Sequence, residues 1–284
     1  MPFTLSHAAA VLPAVRGDGS GRGRLIPAVL VAGSFSPDMT FYAASVLPGA
    51  MRFGDVTHSF AGVCTVDVLV SWFLLGLWLA LREPLVALLP RSRQGRWAAL
   101  TRCGAPRARV RPSSVAWWYV SAVLGALTHV VWDAFTHHDR WGVRLFPVLD
   151  RSLAGMPLYS CLQYGCSLVA ALVVAAWVGR AVRRAPGGEP VGVPLLSVRD
   201  RWWAGAVIGG CAAAGAVQRA VRWWVYWGVT AKSWALVPTL CFGVGAGLVP
   251  GLLLYAVGVR MWRPARVSTG PGGVGARPSR SAAR

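Results

Sequence analysis

Residues Val115–Phe135 read VAWWYVSAVLGALTHVVWDAF, and this stretch decides the fold. It is an apolar run of about 20 residues, the length at which an α-helix crosses the hydrocarbon core of a bilayer. In lipid the backbone must satisfy its own hydrogen bonds, and a run rich in Val, Ala, Leu and Trp without strict alternation points to a helix rather than a barrel strand. His129 and Asp133 are its only histidine and its only acid.

Four further stretches match it: Ser59–Leu81, Leu158–Val182, Trp203–Val221 and Trp234–Met261. A sixth candidate, Leu25–Leu47, is interrupted by Ser34, Ser36, Pro37 and Asp38. With 55% hydrophobic and 14% charged residues over 284 positions, the chain carries more apolar surface than a soluble core hides. The expected fold is all-α: a polytopic transmembrane bundle of about six spanning helices, preceded by a short N-terminal helix from the run Phe3–Val15, which is too short to span. Residues 1–182 form the half that carries the polar chemistry, residues 183–262 add helices, and the Arg/Gly/Pro/Ser-rich tail 263–284 is expected to be disordered.

The 29 basic against 10 acidic residues, a net charge of +19, would suggest nucleic acid in a soluble chain. Here the charge lies between spans. The connection Arg82–Arg111 holds a single glutamate among arginines, Arg180–Arg201 is mostly basic, and the tail from Arg260 is arginine-rich. Such segments belong on the cytoplasmic side, so the expectation is an inner (plasma) membrane protein with a cytoplasmic C-terminus and no nucleic-acid partner. Asp139–Pro157 is nearly charge-balanced and should face out. Alternate threading fails only at Arg222–Lys232, which is basic where an outer loop is needed.

The N-terminal apolar run has no basic residue ahead of it and Arg16 behind it, the wrong polarity for a cleaved signal peptide. Six cysteines without a CxxC pair fall mostly inside spans and indicate neither a disulfide framework nor a cysteine metal site. No phosphate-binding glycine loop, dinucleotide fingerprint or nucleophile elbow occurs.

Ionisable residues inside spans are costly and mark function. This chain concentrates them before residue 139, and the spans Leu158–Val182, Trp203–Val221 and Trp234–Met261 hold no acid or histidine. In THVVWDAFTHH, residues 128–138, helical positions four apart lie about 40° apart in azimuth and about 6 Å apart in height, so His129, Asp133 and His137 form one column. Imidazole and carboxylate are ligands for zinc, manganese or iron; the plainer alternative is a structural hydrogen-bonded pair. His138 marks the interfacial helix end. In FSPDM, residues 35–39, proline disfavours helix in the preceding residue and presents Asp38 at a break, either as a ligand or as a cap for the helix restarting at Met39. His58, in THS, falls at a span boundary on the same side as Asp38 and His137, as an interfacial residue or a ligand. Asp67 is out of phase with His58 and is expected to bond a neighbouring helix. His7 comes up beside Asp38 if Phe3–Val15 and Leu25–Phe35 form a hairpin.

The order TLSH, SPD, THS, then HxxxD, resembles bacterial membrane-bound metal-dependent hydrolases, themselves similar to zinc-dependent phospholipase C. The opening MPFTLSHAA, with SPDM, THSF and LYSCLQYGCS, resembles more closely an uncharacterised bacterial membrane family, the domain-of-unknown-function family 4184. The resemblance implies metal ligands at His7, Asp38, His58, His129 and Asp133. Hydrolase relatives carry further acids and histidines after the PD element, where this chain has Met39, Thr40 and Phe41, and a His-Arg pair before THS, where it has Gly54, Asp55 and Val56. Fewer ligands imply one ion, or at most two.

The expected function is hydrolysis of a lipid or other amphiphilic phosphate ester through a His/Asp-bound divalent ion, zinc before manganese or iron, at a site toward the outer face. Asp38 serves as ligand or general base and His137 as ligand or leaving-group acid. Arg52 could bind a phosphate oxygen or simply anchor the interface. Two other classes fit the same residues: a non-catalytic membrane scaffold, and a transporter for protons or divalent ions.

Overall fold

In the computed structural model, residues 4–106, 112–230 and 235–263 are described. Among them, five helices are long and apolar enough to cross a membrane: Val66–Leu88, Pro112–Thr136, Leu158–Arg184, Val198–Thr230 and Leu236–Trp262. The protein is a polytopic transmembrane helical bundle.

The first third of the chain is built from short helices: α1 (Ala8–Val11), α2 (Pro27–Phe35), α3 (Met39–Ala43), α4 (Gly54–Thr57) and α5 (Phe60–Cys64). The spans α6 (Val66–Leu88) and α8 (Pro112–Thr136) flank the helix α7 (Arg91–Cys103). After α8 come the short α9 (Trp141–Leu145) and a two-residue antiparallel hairpin pairing Ser152–Leu153 with Met156–Pro157. The spans α10 (Leu158–Arg184), α11 (Val198–Trp227) and α12 (Leu236–Trp262) complete the bundle.

The sixth candidate span is not one helix. Leu25–Leu47 divides at Ser36–Asp38, a single 3-10 turn, into α2 and α3. Pro37 has no N–H for the helical ladder, and the break falls where the sequence places it. At nine and five residues, neither piece reaches the roughly 20 needed to span.

Glycine sets how closely α2 meets α8. A Cβ on Gly125 would lie 2.2 Å from the Leu30 carbonyl oxygen, and one on Gly33 would lie 2.5 Å from that of Ala122. The two backbones therefore touch, as small residues allow between membrane helices. Val29, Val68, Leu75 and Ala122 form the apolar core beside this crossing, and Val63, Ala126 and Val130 continue it. A separate cluster of Val86, Ala87, Ala98, Val193, Leu196, Ala204, Tyr255 and Val259 joins α6, α7, α11 and α12. Exposed Leu168, Val169 and Leu172 on α10, and Trp202, Trp203, Val217 and Val225 on α11, give the outside of the bundle the apolar surface that lipid covers.

The basic segment that broke the alternate threading has a structural account. The Arg222 guanidinium donates to the Ala44 carbonyl at 3.3 Å and to the Ser45 carbonyl at 3.1 Å. Gln218 donates to the same Ser45 carbonyl at 2.9 Å, and Arg219 to the Ser45 hydroxyl at 3.3 Å. These side chains satisfy carbonyls at the end of α3, which a helix C-terminus leaves without internal partners. Lys232 lies outside the described residues, as do the arginine-rich stretch 107–111 and the tail beyond residue 263.

Candidate metal centre

The column read on α8 faces inward. His129 and Asp133 are buried, and the α2–α8 crossing presses them against the 3-10 turn that carries Asp38. The loop through Thr57 brings His58 to the same point, with Thr57 donating its hydroxyl to the Pro37 carbonyl at 2.8 Å. Asp38, His58, His129 and Asp133 each contribute one ligand atom to a group whose atoms all lie within 4.8 Å of one another.

The distances show what the group could hold. His129 Nε2 stands 3.3 Å from Asp133 Oδ2 and 3.5 Å from Asp38 Oδ1. His58 Nε2 stands 3.5 Å from the same Asp133 oxygen and 3.8 Å from the same Asp38 oxygen. A charge-assisted hydrogen bond would be about 2.7–2.9 Å, and neither His129 Nε2 nor Asp38 Oδ1 has a hydrogen-bond partner. Around an ion with bonds of about 2.0–2.2 Å, the edges of a ligand tetrahedron are about 3.3–3.6 Å. Three of the four separations fall within that span and the fourth is slightly longer. These four of the six edges suit a single ion, which the group could hold.

The imidazole tautomers agree. His129 Nδ1 lies 2.7 Å from the Ser34 carbonyl oxygen and His58 Nδ1 lies 2.9 Å from that of Gly54. A carbonyl only accepts, so each Nδ1 carries its hydrogen, and in the neutral ring Nε2 presents a lone pair. Two such lone pairs then face two buried carboxylates. That arrangement repels itself unless a cation lies between or an imidazole takes a second proton on Nε2, and burying carboxylates without a positive partner is expensive. Ligating histidines tied through the other nitrogen to a carbonyl are the usual outer support of metal sites. Asp38 has its own support: the Thr4 hydroxyl donates to Oδ2 at 2.5 Å, and the Tyr42 hydroxyl donates to Thr4 Oγ1 at 3.0 Å.

Two further histidines meet the other oxygen of Asp133. His7 is buried, stacks on the His129 ring at a centroid distance of 3.8 Å, and places Nε2 3.5 Å from Asp133 Oδ1. The hairpin that would bring it to Asp38 is present, with η-turn Thr4–His7 and α1 packed on α2. His137 Nδ1 lies 3.6 Å from the same oxygen. With the Gln163 amide nitrogen donating to His137 Nε2 at 2.7 Å, the His137 proton resides on Nδ1.

The remaining candidates stand apart. The ring of His138 packs against Tyr159. Asp67 is buried at the start of α6, and among the described residues neither carboxylate oxygen has a hydrogen-bond partner, so the expected bond to a neighbouring helix is not found there. Arg52 is exposed and does not line the cavity that reaches the cluster. That cavity, of about 220 Å³, is bounded by His58, Val130, Asp133, Ala134, Asp139, Arg140, Trp141 and Arg144. Thr4, Tyr42, Gln163 and the two arginines after α8 are the participants that sequence reasoning passed over.

A bundle of membrane-spanning helices enclosing a buried cluster of two aspartates and two histidines that could hold a metal ion defines a class of integral membrane protein with a candidate metal centre. The chain belongs to the family described as a domain of unknown function, DUF4184, whose profile matches residues 1–257. No curated protein and no solved structure matches it.

Proposed function

We propose that the protein is a membrane-embedded, metal-dependent hydrolase acting on a lipid or other amphiphilic phosphate ester. The observation that carries the reading is the spacing of Asp38 Oδ1, His58 Nε2, His129 Nε2 and Asp133 Oδ2, with both Nδ1 atoms tied to carbonyls. Those four residues would hold the ion, with His7 beside them. Zinc suits two imidazoles and two carboxylates at these separations, ahead of manganese or iron. When bound, such an ion lowers the pKa of a coordinated water toward neutrality and stabilises charge developing on an ester oxygen.

The side chains account for the protons. Hydrolysis joins the water oxygen to phosphorus and breaks the bond from phosphorus to the ester oxygen, whose electron pair leaves with the alcohol. Asp38, held at Oδ2 by Thr4 with Oδ1 turned into the cluster, would serve either as the fourth ligand or, where three residues hold the ion, as the base that takes the proton the water releases. His137, oriented by Gln163, would serve as a ligand or, once a further proton has made it an imidazolium, as the acid that gives that proton to the departing alcohol. A position toward the outer face of the plasma membrane, with the C-terminus cytoplasmic, is part of the proposal and follows from the basic loops.

The test is release of phosphorylated headgroups from mixed lipid vesicles by purified, metal-loaded protein. Release that disappears in Asp38→Asn and His129→Ala supports the reading. Metal content without release points to a scaffold, and ion flux into proteoliposomes without release points to a transporter; either result removes the hydrolase assignment.

A further inference from the structure

Beside the candidate centre lies a group of residues that the hydrolase reading does not use. The cavity that reaches His58 and Asp133 is also lined by Arg140, Trp141 and Arg144, all at or within α9, together with Asp139. The lining therefore combines candidate cation ligands, His58 and Asp133, with two arginines. An anionic group that enters the cavity meets both.

Its size and surroundings narrow the ligand. At about 220 Å³ the cavity is smaller than the roughly 300–1,000 Å³ that engulf a drug-sized molecule. It admits a headgroup and leaves the remainder outside. The neighbouring surface is apolar and exposed: Trp141, Leu145, Phe146 and Val148. Planar guanidinium forks match the oxygens of a phosphate.

Arg144 is already engaged in a way that an anion would reverse. Its Nε donates to Asp139 Oδ1 at 3.0 Å and its Nη2 lies 2.9 Å from the same oxygen, with both side chains about two-thirds exposed. Asp139 sits in the left-handed region at φ 58°, which turns the chain out of α8 and aims the carboxylate at Arg144. The carboxylate holds the guanidinium at the cavity and competes with any incoming anion.

We infer that Arg140 and Arg144 form the recognition site for the phosphate group of an amphiphilic ligand, which places that phosphate against the His58–Asp133 wall while its apolar part lies along Trp141, Leu145 and Phe146. The inference rests on the hydrolase reading for what happens next, but not for binding itself.

Equilibrium binding tests it directly. Full-length, metal-loaded protein in detergent is titrated with dihexanoyl phosphatidic acid, with uncharged dihexanoylglycerol and with inorganic phosphate, and R140Q/R144Q is compared at matched metal content. The double variant should lose affinity for dihexanoyl phosphatidic acid by about tenfold or more, as loss of charge-assisted bonds requires. Binding of dihexanoylglycerol should be weak and unchanged. D139N, which keeps a side chain tolerant of the left-handed backbone, should tighten phosphatidic acid by about two- to fivefold, the range for one exposed ion pair. Inorganic phosphate binding as tightly as phosphatidic acid identifies free phosphate as the source of the anion, and tighter phosphatidic acid identifies the lipid. Equal affinity of wild type and R140Q/R144Q for both anions overturns the inference. Arg-dependent binding without headgroup hydrolysis leaves it standing and removes the hydrolase reading instead.

Discussion

Gly125→Ala tests whether the α2–α8 contact holds the centre together. The added Cβ would sit 2.2 Å from the Leu30 carbonyl oxygen, 2.8 Å from the Ser34 nitrogen and 2.9 Å from the Gly33 Cα. All three are backbone atoms, so no side chain can swing aside. An ordinary carbon–oxygen approach is about 3.3–3.6 Å, so the helices must part by about 1 Å. His129 lies one turn beyond Gly125 on the same face of α8, and its Nδ1 reaches the Ser34 carbonyl at 2.7 Å. A separation of that size lengthens this contact past the limit of a hydrogen bond. Overpacking of this kind costs about 1–3 kcal/mol, and loss of an outer support to a metal ligand lowers affinity about 10- to 100-fold. The assay is competition with a chelator of known affinity in detergent, together with thermal unfolding. The control is Gly165→Ala on α10, whose Cβ meets nothing within 4 Å. Metal affinity in Gly125→Ala equal to that of the control would refute the reasoning.

Thr4→Val removes the hydroxyl that donates to Asp38 Oδ2 and should weaken metal binding about tenfold or more; Tyr42→Phe, one bond further out, should weaken it less, and competition titration ranks the two. Chelation of the bound ion should lower the unfolding temperature of wild type, because a ligand that binds only the folded state stabilises it, and should leave the Asp38→Asn/Asp133→Asn double variant unmoved; an equal shift in both would contradict this. Arg222→Met should destabilise the fold by about 1–3 kcal/mol by removing the donor to the Ala44 carbonyl, while Gln218 still serves that of Ser45, with metal content retained, as unfolding and elemental analysis together would show.

Helical periodicity made part of the site legible. His129 and Asp133 share a face because they are four apart in a span that holds no other acid or histidine, and the structure places both facing inward. Asp38 was legible from the Ser36–Pro37 break, which also explains why Leu25–Leu47 is two short helices instead of a sixth span. His58 and His7 could be drawn to the cluster only through the ordered motifs and a conditional hairpin, since nothing local aims either side chain. The supports were invisible for a simple reason. The carbonyls of Ser34 and Gly54 are backbone atoms, and every residue has one. Arg140 and Arg144 were hidden by balance: in a loop whose charges nearly cancel, composition marks no patch, and only the turn at Asp139 brings them over the cavity. Arg222 misled the threading because a helix-internal arginine bonded to another helix's carbonyls cannot be told from a loop charge by counting.

Metal analysis of the purified protein tests the central claim most directly. Wild type extracted in detergent, and reloaded separately with zinc, manganese and iron, should retain about one tightly held divalent ion per chain, the number that one set of four ligands can hold. His129→Ala/Asp133→Ala should retain none, and Gly165→Ala should match wild type. Metal near zero in wild type after every reloading, or equal metal in wild type and the double variant, would contradict the account.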